Sequence, residues 1–125
     1  MTACCSSHII HKFNELCQVR KLRIYGMTWQ LRRCAVSVPS NIAEGHGRKS
    51  TAEFLRFLGI AQGSLCELQT QVEIAKNLGY LSSTTFEDLY EASREIERMQ
   101  SSLVAKLQRG KVQRGKVAEW QSSKG

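Results

Sequence analysis

Two groups of side chains have types and spacings that could do chemistry. His8 and His11 stand three residues apart, on one face of a helical turn, close behind Cys4 and Cys5. Imidazole and thiolate together are the donors that a zinc-like ion takes. No carboxylate is paired with these histidines, and none of the five cysteines (Cys4, Cys5, Cys17, Cys34 and Cys66) forms a Cys-x-x-Cys pair. The set therefore reads as reduced, mostly buried thiols, and no metal or other cofactor is assigned. The second group is GHGRKS, residues 45–50, where Gly45 and Gly47 precede a helix start. Free backbone amides and the helix dipole favour a phosphate at such a point. A nucleotide-hydrolysing loop is excluded, because Arg48 rather than glycine precedes Lys49 and no strand leads in. A nucleic-acid phosphate and a plain interhelical turn both fit. His46 has no evident nucleophile or orienting acid beside it, so no catalytic residue is assigned and no enzyme is expected. Glu44 reads as the partner of an arginine on a neighbouring helix or subunit.

The elements that must position these residues are helices. Phe54, Leu58, Ala61, Leu65, Leu68, Val72 and Ala75 alternate steps of four and three, the period of a buried helical stripe. Leu55, Phe57, Ile60, Ile74 and Leu78 widen the apolar face at both ends. Ser50 with Glu53 makes a capping box, and Gly79 after Leu78 supplies a left-handed stop. Thr84 with Glu87 repeats the start signal, and Phe86, Leu89, Ser93, Ile96, Gln100, Leu103 and Leu107 repeat the stripe, which predicts a helix over about 84–109. Gly110 and Gly115 are expected to end it. Upstream, a helix from Met27 or Thr28 to about Gly45 turns Leu31, Ala35, Val38 and Ile42 inward. Pro39 should kink or break it, with Ser37, Ser40 and Asn41 repairing freed carbonyls. A shorter amphipathic helix through Ile9, Ile10, Phe13, Leu16 and Cys17 precedes it.

A chain of 125 residues with one proline and 42% hydrophobic residues has room for one helical core. A Rossmann or barrel enzyme needs more chain, and a disordered protein fewer aliphatic residues. There is no run of about 18 apolar residues and no basic start leading into an apolar segment, so no membrane association and a cytoplasmic location are expected.

SVPSNIAEGHGRKS (37–50), with YGMTWQLRRCAV before it and EFLRFLGIAQGSLCELQTQVEIAKNLGYL after it, closely resembles the small four-helix-bundle proteins encoded in intervening sequences of bacterial 23S rRNA genes. The likeness spans roughly residues 25–81. Those proteins are in turn similar to the accessory variability determinant of diversity-generating retroelements, a pentameric bundle that binds nucleic acid and a reverse transcriptase. The resemblance implies an all-α, up-down antiparallel four-helix bundle without known catalysis, assembling into a ring-like homopentamer. It carries over to Arg32, Arg33, Pro39, Ser40, Asn41, Glu44, Gly45, Gly47, Arg48, Ser50, Glu53 and Gly79. Two stretches depart from the pattern: the first helix is short, and QRGKV occurs twice in succession at 108–112 and 113–117.

Charge then suggests where such a bundle would act. The net +7 divides into a basic stretch over 1–63, an acidic one over 64–105 and a basic one over 106–125. In an up-down bundle the turn after residue 45 and the end of the last helix meet at one pole. That gathers Arg48, Lys49, Arg56, Lys106, Arg109 and Lys111, joined by Arg114 and Lys116 from a flexible basic tail over 110–125 that follows a bundle over 1–109. At the other pole Arg20, Lys21, Arg23, Arg32 and Arg33 should meet Glu87, Asp88 and Glu91. Clustered cations are the footprint of nucleic-acid binding, and Arg32 and Arg33 join the candidate contacts. The expected partners are RNA or DNA and further copies of the chain; an alternative is a protein-interaction module that uses the wide apolar face.

Overall fold

The computed structural model describes residues 25–124, which form three α-helices and no strand: α1 (Tyr25–His46), α2 (Thr51–Asn77) and α3 (Ser83–Ser123). The all-α expectation holds. The expected first helix around Ile9–Cys17 lies outside the described residues, as do His8, His11, Cys4 and Cys5, so the described fold is three helices rather than four.

α2 is the centre of this arrangement. Its buried residues are Leu58, Ala61, Leu65, Leu68, Val72 and Ala75, the stripe read from the spacing, with Phe54 half-buried at its start. Each buried leucine contributes about 1.5–3 kcal/mol, more than any surface ion pair on this molecule. α1 adds Leu31, Cys34, Ala35 and Val38 to the core, and α3 adds Ala92 and Ile96. Both neighbours run antiparallel to α2. The Ser37 and Ser64 hydroxyls meet at 2.8 Å across α1 and α2, and the Gln100 amide of α3 donates to the Leu58 carbonyl at 2.9 Å. α1 and α3 flank α2 without bringing any pair of their Cα atoms within 8 Å.

The helix ends follow local chemistry. The Ser50 hydroxyl accepts from the Glu53 amide at 3.2 Å, as the capping-box reading requires. Gly79 has φ 78°, and the Tyr80 and Gly79 amides return to the carbonyls of Ala75 and Lys76, a Schellman stop. The start of α3 moves from Thr84 to Ser82, whose hydroxyl accepts from the Thr85 amide at 3.2 Å.

Two interruptions that the sequence allows, a break at Pro39 and a helix end near residue 109, do not occur. Pro39 does not break α1, which is one helix from Tyr25 to His46. Ser40 is exposed, whereas Ser37 and Asn41 make the local bonds: the Asn41 amide donates to the Ser37 carbonyl at 2.8 Å and to its hydroxyl at 3.0 Å. The last helix does not end near residue 109 but continues through Gly110 and Gly115 to Ser123. Neither glycine has positive φ. A glycine inside a helix costs about 1 kcal/mol, which weakens the helix without stopping it; a stop needs the left-handed turn seen at Gly79.

Candidate nucleic-acid interface

The turn between α1 and α2 anchors one end of the molecule. Gly45 is buried there because the helices come too close for a side chain: a Cβ would lie 2.7 Å from that of Phe57 and 2.8 Å from the Phe54 ring. Gly47 has no such neighbour. Two of the turn's amides are spent internally, Gly47 donating to the Ala43 carbonyl and Arg48 to that of Gly45, each at 3.1 Å. Neither is left for a phosphate at GHGRKS.

The side chains of the turn leave cations outside. Arg48 pairs with Glu44 of the preceding helical turn, so Glu44 finds its arginine locally rather than on another helix. The Arg48 guanidinium also lies 5.1 Å from the centre of the Phe57 ring, and that of Arg56 5.2 Å from the same ring. One aromatic ring thus attracts two guanidiniums, at about 0.5–1 kcal/mol each for exposed pairs. His46 meets Phe54 edge-on at 5.9 Å. Lys49 is exposed and makes no ion pair among the described residues.

The axial register of α3 follows from the bond between Gln100 and Leu58. Counting back along α2 to Thr51 and forward along α3 by the same rise brings Leu107 level with the start of α2. Lys106 and Arg109 therefore flank the turn, and Gln108 to Ser123 project beyond it by about 24 Å. From Lys111 onward every described residue of this arm is exposed. The face of α3 that packs on α2 runs through Gln100, Leu103 and Leu107; the next positions in the same three-four rhythm are Lys111 and Arg114. The packing stripe turns basic where α2 ends. The structure thus places Arg48, Lys49, Arg56, Lys106 and Arg109 at one end and strings Lys111, Arg114 and Lys116 along the arm. Phe57, which lies against both Arg48 and Arg56, reads in the sequence only as part of the second apolar set; its place next to Arg56 is the signal for this further role.

Arg32 and Arg33 do not join this end. They sit about 20 Å back along α1. Arg33 pairs at 3.5 Å with Glu67 of α2 and lies 5.7 Å from the Trp29 ring, and α1 does not approach Glu87, Asp88 or Glu91. Glu91 instead pairs with Arg98 at 2.7 Å. Nearby, Gln71 donates to Gln30, Glu67 and the Cys34 sulfur, and its own amide oxygen is buried without a partner. Burial first, and then the Glu67 carboxylate, push the Cys34 thiol above its ordinary value. Among the described residues there is no cluster of three His, Cys, Asp or Glu able to hold a metal, and no helix long and apolar enough to cross a membrane.

Comparison with known proteins gives this geometry a relative. The family model for 23S rRNA-intervening sequence proteins matches residues 5–102. Comparison with curated proteins yields no match. Among solved structures, a protein of unknown function from the S23 ribosomal protein family of Bacteroides thetaiotaomicron VPI-5482 is similar, with a TM-score of 0.72 and 23% identity over 83% of this chain and 98% of that one. At that identity the likeness is one of fold. The family match stops at residue 102, ahead of the basic arm.

Proposed function

The chain belongs to the family of 23S rRNA-intervening sequence proteins, and from that premise we propose that it is a non-enzymatic, cytoplasmic nucleic-acid-binding protein. It engages RNA or DNA phosphates through the basic end formed by Arg48, Lys49, Arg56, Lys106, Arg109, Lys111, Arg114 and Lys116. The observation that carries this reading is the change of the α3 packing stripe from Leu107 to Lys111 and Arg114 past the end of α2. A face built to meet protein becomes a face built to meet anions. The subunit acts within a four-helix bundle and a homopentamer; exposed Trp29 and Val36 on α1 and Ile60 and Ile74 on α2 supply apolar surface for self-association.

The test is binding of a labelled structured RNA and a DNA duplex over a salt series, with mass by light scattering in parallel. If about four phosphates of a duplex are contacted, log K falls with log salt at a slope near −3.6. Replacing Arg48, Lys49, Lys111 and Arg114 by Gln weakens binding to all sequences alike. Absence of salt-sensitive binding at low salt overturns the reading, and a monomeric mass at micromolar concentration overturns the pentamer.

The exposed apolar residues also support a second reading, an oligomeric protein-interaction module such as an accessory subunit to a reverse transcriptase. A purified partner that stays bound after nuclease treatment and is lost on Trp29→Ala would favour it.

A further inference from the structure

We propose that the outer face of the α3 arm is a site for single-stranded nucleic acid, with the Trp120 indole stacking on an unpaired base. This rests on the nucleic-acid reading above and names the form of its ligand.

The argument begins with the duplicated QRGKV. Its repeat of five residues turns about 140° per copy on a helix of 3.6 residues per turn, so equivalent residues of the two copies do not share a face. Unlike residues do. Lys111 of the first copy and Arg114 of the second prolong the packing face. Arg109 of the first and Lys116 of the second lie on the opposite side, in a line formed by Lys106, Arg109, Gln113, Lys116 and Trp120 at steps of three and four. The line is about 21 Å long, and all five of its residues are exposed.

The pattern selects among partners. A partner helix or a lipid surface would need a continuous apolar stripe. The arm's other large apolar residues, Val112 and Val117, are 58% and 54% exposed and lie on either side of Trp120, with Arg109, Gln113 and Lys116 interleaved in the same arc, so the apolar positions are separated and make no continuous stripe. Between Lys106 and Lys124 the only acid is Glu119. The arm therefore suits a polyanion. Trp120 narrows the choice. Its side chain is 59% exposed at the end of the cationic line, with the Lys124 ammonium 3.9 Å from its ring centre. A duplex hides its base faces within the stack, whereas a single strand offers them to an aromatic ring beside phosphate-binding cations. An indole in line with Lys106, Arg109 and Lys116 has this arrangement.

The test uses the full chain carrying Trp29→Phe, so that Trp120 is the one reporting tryptophan of the two. It is titrated at low salt with oligo(U), with a blunt duplex of equal length, and with anionic phosphatidylserine vesicles. Oligo(U) should quench Trp120 and bind at least tenfold tighter than the duplex. Adding Trp120→Ala should weaken oligo(U) binding about tenfold and leave duplex binding unchanged, with partial recovery in Trp120→Phe. Gln at Lys106, Arg109 and Lys116 together should make the single-strand salt slope shallower by about 2. Equal affinity for duplex and oligo(U), or no effect of Trp120→Ala, overturns this inference and leaves the nucleic-acid reading standing. Binding to neither nucleic acid overturns both. A Trp120 blue shift on vesicles without quenching by oligo(U) assigns the arm to lipid and overturns the inference.

Discussion

At the scale of single residues, close contact decides which members of the 37–50 motif matter for stability. Gly45→Ala puts a methyl 2.7 Å from the Phe57 Cβ, where the helix backbones set the spacing, and should destabilise by about 1–3 kcal/mol. Gly47→Ala meets nothing closer than 3.5 Å and should stay within about 0.5 kcal/mol, both read by urea denaturation. The two glycines look alike in the sequence; their difference comes from Phe54 and Phe57 on another helix, which no local pattern reveals. Gln100 is a second case. It is 4% exposed, and its amide oxygen is buried without a partner. Gln100→Leu removes that unsatisfied oxygen and should be at least as stable as the parent, while Gln100→Ala leaves a cavity and should lose about 2 kcal/mol or more. Cys34 supplies a pH test. Its folded thiol holds its proton above the ordinary value of 9.0, so stability present below that pH is lost as pH rises and the unfolded thiol ionises first. The urea midpoint should fall above about pH 9 more steeply in the parent than in Cys34→Ala.

At the scale of elements, the packed parts of the helices were legible and the unpacked part was not. The stripe from Leu58 to Ala75 is the buried face of α2, because a period of 3.6 and a one-sided core dictate each other. The second apolar set was less informative: Ile60, Ile74 and Leu78 are 46%, 42% and 55% exposed. The end of α3 is not legible from glycine alone: Gly110 and Gly115 do not adopt the left-handed turn of Gly79, and Val112 and Val117, two residues after them, stay exposed where Leu81 is buried. The arm remains helical on propensity alone. At about 16 residues, with two glycines, it is near the length at which isolated helices are marginal. Gly110→Ala with Gly115→Ala, at positions where an added Cβ meets nothing within 4 Å, should raise helicity by circular dichroism and leave the unfolding midpoint of the core unchanged. In the parent, arm amides should exchange with deuterium faster than those of Phe86 to Val104.

At the scale of the whole molecule, charge is partitioned by element. The basic end was legible because antiparallel helices must return residues near 48 and 106 to the same level. The placement of Arg32 and Arg33 was not, since it depends on α1 and α3 lying on separate flanks of α2. Truncation after Gln108 removes five Lys and Arg against Glu119 but no buried residue. It should leave the thermal midpoint within about 2 °C and remove most of the nucleic-acid affinity, measured on one preparation by calorimetry and anisotropy. The central position of α2 has a kinetic consequence as well. Because α1 meets it across a turn of four residues, and α3 meets no other described helix backbone, the α1–α2 hairpin is the natural nucleus and α3 the late arrival. Substitutions at the α1–α2 seam, such as Val38→Ala, should slow folding, whereas those on α3 at the α2–α3 seam, such as Ile96→Val, should chiefly speed unfolding.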